Sequence, residues 1–341
     1  MIKPWIFEFF PNPERPEAHL APSHVTEFFN RYLKLWSSAE TLGFEGIFFS
    51  EHHFGVSLSP SPNLLIANLA SRTRSIRLGV MGMVVPFYEP WRVFEEIAML
   101  DHLTGGRLEI GTATGIPQET TTAGLSFEDA TARYLEALEI LDAALEKPVI
   151  SHHGRFWNFD NMHLVPRPLQ QPSPPKWTTV ISNESARRSA RRGSKICTGF
   201  HPVKRVAEIF DAYRDEALRV GRPMRSDQLA LRRMVTIESD HDLAVTKSRS
   251  LEKIMKAGLA SDPRTRLVDA SAGSHTFSIG TEEFIAGDPR SVAEQIEAQC
   301  SQAGAGNFLA IFNALEGTEH LVQSYELFAR EVIPVLRTSK K

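Results

Sequence analysis

Two adjacent imidazoles beside a carboxylate, Glu51-His52-His53-Phe54, form the most reactive-looking stretch of this 341-residue chain. They follow directly on Gly46-Ile47-Phe48-Phe49-Ser50, an apolar run with strand character. Neighbouring residues leaving a strand diverge, so one ring can face a cavity while the other packs or hydrogen-bonds outward. Histidine carries protons near neutral pH, which makes His52 and His53 candidate acid–base groups. The pair could also bind a metal or be purely structural. A metal would need further ligands of matching type, and no Asp or Glu cluster is obvious at the other strand ends.

Three further segments could hold a ligand. Gly79-Val80-Met81-Gly82-Met83 ends an apolar run and offers backbone that a flat molecule can approach, or glycines that only relieve crowding. Ser182-Asn183-Glu184-Ser185-Ala186 stands where a strand gives way to a helix. Ser or Asn caps such a helix, and its first turn presents N–H groups at the positive end of the dipole, suited to a phosphate. An ordinary capped helix has the same pattern. Arg133, on a long helix, could add a fixed positive charge to the same anion or be a surface arginine.

The elements that must position these groups alternate. Strands are expected at 5–10, 46–50, 76–85, 107–112, 177–181, 196–200, 228–237 and 307–312. Helices are expected at 24–42, 62–72, 90–103, 127–146, 184–192, 203–220, 241–257, 288–302 and 316–335. Leu135, Leu138, Leu141 and Leu145 recur at helical spacing. Two excursions break the rhythm. Residues 147–176, rich in aromatics, His and Pro, read as a hairpin with a proline-rich return, and 258–285 read as irregular. Strict alternation with no composition shift predicts an α/β fold, one domain over 1–341, closed as a (β/α)8 TIM barrel. An open doubly wound sheet would want a glycine-rich first turn; the turn here is Pro11-Asn12-Pro13 and no GxGxxG occurs. In a barrel, reactive groups belong in the loops after the strands, where Glu51-His52-His53 lies.

Composition narrows the partners. The net charge of −3, with Lys and Arg scattered, leaves no basic footprint for nucleic acid. The cluster Arg187, Arg188, Arg191 and Arg192 covers one flank of a short helix and reads as a solvated face. Two distant cysteines, Cys197 and Cys300, exclude a disulfide framework. The start MIKPWIFEFFPNPERP lacks the form of a signal peptide, and no apolar run spans a membrane, so a cytoplasmic address is expected.

The chain resembles the luciferase-like monooxygenase family, the bacterial-luciferase type of flavin-dependent enzyme. The likeness is carried by LGFEGIFFSEHHF (42–54), PNLLIANLASRTRSIRLGVMGMVVP (62–86), EPWRVFEEIAMLDHLTGGRLEIGTATG (89–115) and PPKWTTVISNESARRSARRG (174–193), in matching order and spacing. The resemblance implies a (β/α)8 barrel and oxygenation of a small organic substrate by O2 and reduced FMN, delivered by a separate flavin reductase. It places the catalytic imidazole at His52, with His53 as neighbour or orienter. It implies phosphate contacts at Arg133, Glu184 and Ser185, beside the helix cap at Ser182. The flavin ring would lie over Met81-Gly82, at a non-proline cis peptide. Where luciferase has an arginine before a glycine, this chain has Thr114-Gly115, so one phosphate contact is missing or replaced. Ala113 stands where luciferase has a reactive cysteine, and light emission is not expected.

A dry pocket is expected from Phe7, Phe9, Phe49 and Trp157. Lids are expected at 147–168 and 258–285, with a hinge at Ser271-Ala272-Gly273-Ser274 and a disordered loop across 258–285. The family implies a homodimer through helices near the second and third units. Rival readings are a deazaflavin-dependent hydride-transfer enzyme, a non-catalytic flavin-binding subunit, and a metal-dependent hydrolase on the same barrel.

Overall fold

The computed structural model describes residues 1–12, 21–55, 57–261 and 280–338. Its strands are β1 (Lys3–Glu8), β2 (Gly46–Phe49), β3 (Arg77–Val84), β4 (Leu108–Ala113), β5 (Val149–His153), β6 (Asn158–His163), β7 (Lys176–Val180), β8 (Lys195–Thr198), β9 (Leu229–Ile237), β10 (Phe284–Gly287) and β11 (Asn307–Phe312). Hydrogen bonding runs β1-β2-β3-β4-β7-β8, β8 bonds β9, β9 bonds β11, and β11 returns to β1. Eight strands close on one another with helices between them, which is a (β/α)8 barrel and not an open sheet. The short β10 lies outside this ring and pairs with the last four residues of β9, Phe284 opposite Met234.

The helices Pro62–Arg72, Pro90–Leu103 and Phe127–Glu146 fall on the residues that periodicity marks. Differences have local causes. β1 stops at Glu8, before the expected end at residue 10, and Phe10 takes a left-handed φ of 46°. The last helix is interrupted. Thr318–Leu327 passes into a π turn, Phe328–Val332, and resumes as Ile333–Thr338. Pro334 has no N–H to give its preceding turn, which fits a widened ladder there. The first excursion is the antiparallel hairpin β5–β6 with a return that holds cis prolines Pro166 and Pro172. In the second, a helix from His241 runs on to Ser261, and a 3-10 turn at Thr281–Glu283 leads into β10. Residues 262–279, with the expected hinge at Ser271–Ser274, lie outside the described residues. A short helix at Pro117–Thr122, α4, was not anticipated. Among the described residues no helix is long and apolar enough to cross a membrane.

The chain divides into two compact units. The first comprises Met1–Glu8, Leu20–Phe48 and Thr178–Lys341. In it Trp36, on helix α1 (Pro22–Leu42), donates its indole N–H to Glu8 at 2.9 Å, so Glu8 faces the helix layer. Alternation then puts Trp5 and Phe7 on the opposite face of β1, and Phe48 stacks on Trp5 with ring centroids 4.9 Å apart. Phe48 thus shares a face with Trp5, and Phe49, the next residue, is fully buried. Every residue of β9 is buried, including two arginines. Arg232 lies over the rings of Phe7 (4.5 Å) and Phe200 (4.9 Å), while Arg233 donates to Gln299 and to the carbonyl of His201.

The second unit comprises Phe9–His19 and Phe49–Trp177. β3 and β4 approach closely where their register shifts between Val80 and Met83. A Cβ on Gly111 would stand 2.2 Å from the Val80 carbonyl oxygen, and one on Gly82 2.7 Å from the Thr112 carbonyl carbon. Only glycine permits this backbone contact. The buried Glu109 accepts from the indole of Trp177 at 2.6 Å and pairs with Arg77.

Candidate active site

The loop after β2 belongs to the second unit, and its shape is fixed from both sides. Beyond it, Ser57 Oγ donates to the carbonyls of Phe9 (2.8 Å) and Phe10 (3.0 Å), and Leu58 N donates to Phe10 (3.0 Å). Within it, His52 Nδ1 lies 3.0 Å from Glu119 Oε1, and the same oxygen accepts the backbone N–H of His53 at 3.0 Å. Glu119 comes from α4, which starts with Pro117 at its first position, where the missing N–H costs nothing. A carboxylate oxygen only accepts, so Nδ1 carries the proton and Nε2 is the nitrogen left for chemistry. The His52 side chain is 19% exposed and Glu119 only 3%. The second oxygen of Glu119, Oε2, is buried with no hydrogen-bond partner among the described residues.

His53 turns the other way. Its Nε2–H donates to Glu51 Oε1 at 3.0 Å, and Tyr88 donates its hydroxyl to the same oxygen at 2.9 Å. The hydrogen bond to buried Glu51 raises the His53 pKa above that of free histidine; burial opposes this, and the charges of Glu51 and Glu119 add to it. Tyr88 is pushed well above its ordinary value, mainly by burial and then by the Glu51 charge. Phe87 packs edge-on against the His53 ring at 5.3 Å, and Phe9 lies 5.9 Å from the His52 ring. The result is two imidazoles with separate carboxylates. One is oriented through Nδ1 by Glu119, and the other is hydrogen-bonded through Nε2 to buried Glu51.

Met81-Gly82 is a cis peptide, as the resemblance implies. Arg133 donates from Nε to the carbonyl of Pro86 at 3.1 Å, and its guanidinium lies over Trp157 (4.8 Å) and Phe156 (5.3 Å). Trp157 in turn donates its indole N–H to Glu89 at 2.9 Å. The hairpin that carries Trp157 is pinned by Glu136, whose carboxylate accepts the backbone N–H groups of Arg155, Phe156 and Trp157 at 2.9–3.1 Å. Thr114 is half-buried in the segment between β4 and α4.

In the first unit, helix α6 (Asn183–Arg192) begins at Ser182, whose Oγ accepts from Ser185 N at 3.2 Å while Ser185 Oγ accepts from Ser182 N at 3.1 Å. This reciprocal cap meets the third N–H of the helix and does not use those of Asn183 and Glu184. The Glu184 side chain is exposed, 3.7 Å from Arg191. Also in this unit, Glu238, Glu316 and His320 converge as metal-type ligands, but Lys247 Nζ lies 2.6 Å from each carboxylate.

The family model for luciferase-like monooxygenases matches residues 9–307. The chain belongs to the luciferase-like monooxygenase family. Among curated relatives it is 39% identical over 209 residues to the uncharacterized protein y4wF of Sinorhizobium fredii, 60% of each chain. It is 29% identical over 228 residues to the oxygenase component of the flavin-dependent trigonelline monooxygenase of Acinetobacter baylyi, 64% of this chain and 62% of that one. The matched region thus spans about 60% of these relatives. Among solved structures, the monooxygenase RslO1 of Streptomyces bottropensis superposes with a TM-score of 0.82 at 24% identity, over 98% of this chain and 99% of that one. The oxygenating constituent of 3,6-diketocamphane monooxygenase from Pseudomonas putida, in complex with FMN, gives 0.77 at 20% identity over 98% of each. The coenzyme F420-dependent tetrahydromethanopterin reductase of Methanopyrus kandleri gives 0.72 at 18% identity, over 98% and 99%. These likenesses establish the barrel.

Within this luciferase-like chain, the structure gathers His52, His53 and Phe9 around two buried carboxylates, and Arg133 with Trp157 at the hairpin. Phe7, in the first unit, lies beneath Arg232. Sequence reasoning missed Glu119, Tyr88 and Glu136. For Glu119 a signal existed: Pro117 followed by an acid two residues on, the pattern of a helix start.

Proposed function

We propose that this chain is the oxygenase component of a two-component, flavin-dependent monooxygenase. It would use O2 and reduced FMN from a separate flavin reductase to oxygenate a small organic substrate. The observation that carries the reading is His52, oriented through Nδ1 by a buried carboxylate so that Nε2 is its reactive nitrogen. Family membership supports the flavin, and the oxygenase-component name of the trigonelline enzyme supports a reductase partner.

The residues present fit a flavin. A half-buried imidazole with a defined tautomer stands in the same unit as the Met81-Gly82 peptide, and α6 has two first-turn N–H groups that its own cap does not use. When bound, the reduced flavin supplies the electrons that activate O2. The remaining work falls to this chain. His52 Nε2 takes or gives a proton at the reacting atoms. Glu119 holds the ring and stabilises it when charged. Phe9 and Trp157 exclude water. We assign the ring to Met81-Gly82 and the phosphate to Ser182, Glu184 and Ser185, with Arg133 and Thr114 as further contacts. Leu64, Met99 and Leu103, exposed on Pro62–Arg72 and Pro90–Leu103, support a homodimer.

The test is oxygen consumption and product mass with chemically reduced FMN against a panel of aldehydes, ketones and terpenes. Substrate-dependent oxygen uptake with a product heavier by one oxygen supports the reading. Oxidation of reduced F420 without O2, and none of reduced FMN, replaces it with the deazaflavin reading that the F420-dependent neighbour favours.

A further inference from the structure

Glu119 orients His52, and its own hydrogen bonds show what orients Glu119. Its Oε1 accepts from His52 Nδ1 and from the His53 peptide N–H, both at 3.0 Å, while Oε2 is buried with no hydrogen-bond partner among the described residues. A carboxylate held by His52 alone would turn with it, so the independent grip on Glu119 is the N–H of His53. That N–H is placed by the rest of its residue, and the His53 ring is anchored at Nε2 by Glu51 Oε1 at 3.0 Å. Glu51 and His53 share one loop, so this bond ties the loop only to itself. Among the described residues, the side-chain hydrogen bond that ties Glu51 to another element comes from Tyr88, whose hydroxyl donates to the same oxygen at 2.9 Å.

Tyr88 is suited to serve as that anchor. It follows the 3-10 turn Val85–Phe87 that continues β3, and its N–H donates to the Val85 carbonyl at 3.0 Å. Pro90 then opens the next helix, so the backbone of Tyr88 is set by the barrel and not by the loop after β2. Burial, and then the Glu51 charge, push the phenol well above its ordinary value, so it remains a donor throughout the range in which histidines titrate. The Glu51 side chain is 1% exposed, so water does not readily replace a lost donor there. All five residues lie in the second unit.

We propose that Tyr88 is a positioning residue for the His52 imidazole. It acts through Glu51, His53 and Glu119 and not at the reacting atoms. Its effect on turnover rests on the oxygenase reading, whereas its effect on the tautomer of His52 does not. The anchor of the reactive ring is then β3, the strand that also carries Met81-Gly82.

The experiment is two-bond proton–nitrogen NMR of the histidine rings in the full chain without flavin. It is run at about pH 8.5, roughly two units above the ordinary histidine value, with His52→Gln assigning the His52 signals. The wild type is expected to show His52 in the Nδ1–H form alone. Tyr88→Phe is expected to show both tautomers at His52, and Glu51→Leu, which removes the acceptor, to do the same. Glu51→Gln keeps an acceptor oxygen for both donors and is expected to retain the wild-type pattern. In oxygen uptake with reduced FMN, Tyr88→Phe is expected to lower kcat about five- to tenfold, the factor for one hydrogen bond, with KM unchanged. An unchanged His52 tautomer in both Tyr88→Phe and Glu51→Leu overturns the proposal, because a merely structural hydroxyl would lower the unfolding temperature and leave the tautomer alone. An Nε2–H tautomer in the wild type overturns it equally, as does full kcat in Tyr88→Phe. The NMR requires neither flavin nor turnover, so a wild type that consumes no oxygen would remove the oxygenase reading and leave the positioning result standing.

Discussion

His52 Nδ1 and Glu119 Oε1 stand 3.0 Å apart although 67 residues separate them in sequence. The carboxylate is buried, and its oxygen also accepts the His53 N–H, so the imidazole is held at one edge and its tautomer is fixed.

Glu119→Gln keeps the size of the side chain but can present an amide N–H to Nδ1, which favours the opposite tautomer. Turnover is expected to fall roughly 10²–10⁴-fold, the range ascribed to a positioned acid–base group, with reduced-FMN affinity nearly unchanged. His52→Ala should fall by a similar factor, and the double variant little further, because the two residues act as a unit. Steady-state oxygen uptake and anaerobic flavin titration check this. Full activity in either single variant ends the assignment of His52.

The Glu51–His53 pair makes part of the stability depend on pH. The His53 pKa is raised in the fold from 6.5, so its charged form is stabilised relative to the unfolded chain. That contribution is complete below about pH 6.5 and is lost as pH rises through the raised value. Urea midpoints of the wild type and Glu51→Gln, measured from pH 5 to 9, should therefore differ most at the acid end. A difference of roughly 1 kcal/mol is expected for a charged, half-buried hydrogen bond. A gap that widens with rising pH would contradict the pairing.

Gly111→Ala tests the close approach of β3 and β4. The new methyl would stand 2.2 Å from the Val80 carbonyl oxygen and 2.9 Å from the Met81 Cα, both backbone atoms. Overpacking of this kind costs about 1–3 kcal/mol or more, read as a lowered urea midpoint. Because the displaced segment leads into Met81-Gly82, the flavin affinity of the surviving folded protein should also fall.

Glu136→Ala removes the acceptor shared by three successive backbone N–H groups in the β5–β6 hairpin. The loss is expected to be about 1–3 kcal/mol, concentrated locally and not across the barrel. Amide exchange at Arg155, Phe156 and Trp157 should accelerate while the protected core of β9 is unchanged. Gly154 is part of the same arrangement, since a Cβ there would stand 2.1 Å from Glu136 Oε1.

The sequence by itself determined the barrel and the location of the histidine pair. Alternation of apolar runs with helical periodicity depends only on local order along the chain, and so does the placement of Glu51-His52-His53 immediately after a strand. The ordinary helix cap at Ser182–Ser185 was equally legible, being contained in four residues. What only the tertiary structure decided is which carboxylate meets which imidazole. Glu119 lies on a six-residue helix too short for periodicity to mark, and its partner is set by how the loops after β2 and β4 fold back on one another. That Phe48 is the ring that stacks on Trp5 was likewise undecidable from an unbroken apolar run. A strand buried on both faces carries no alternation from which to read its sides.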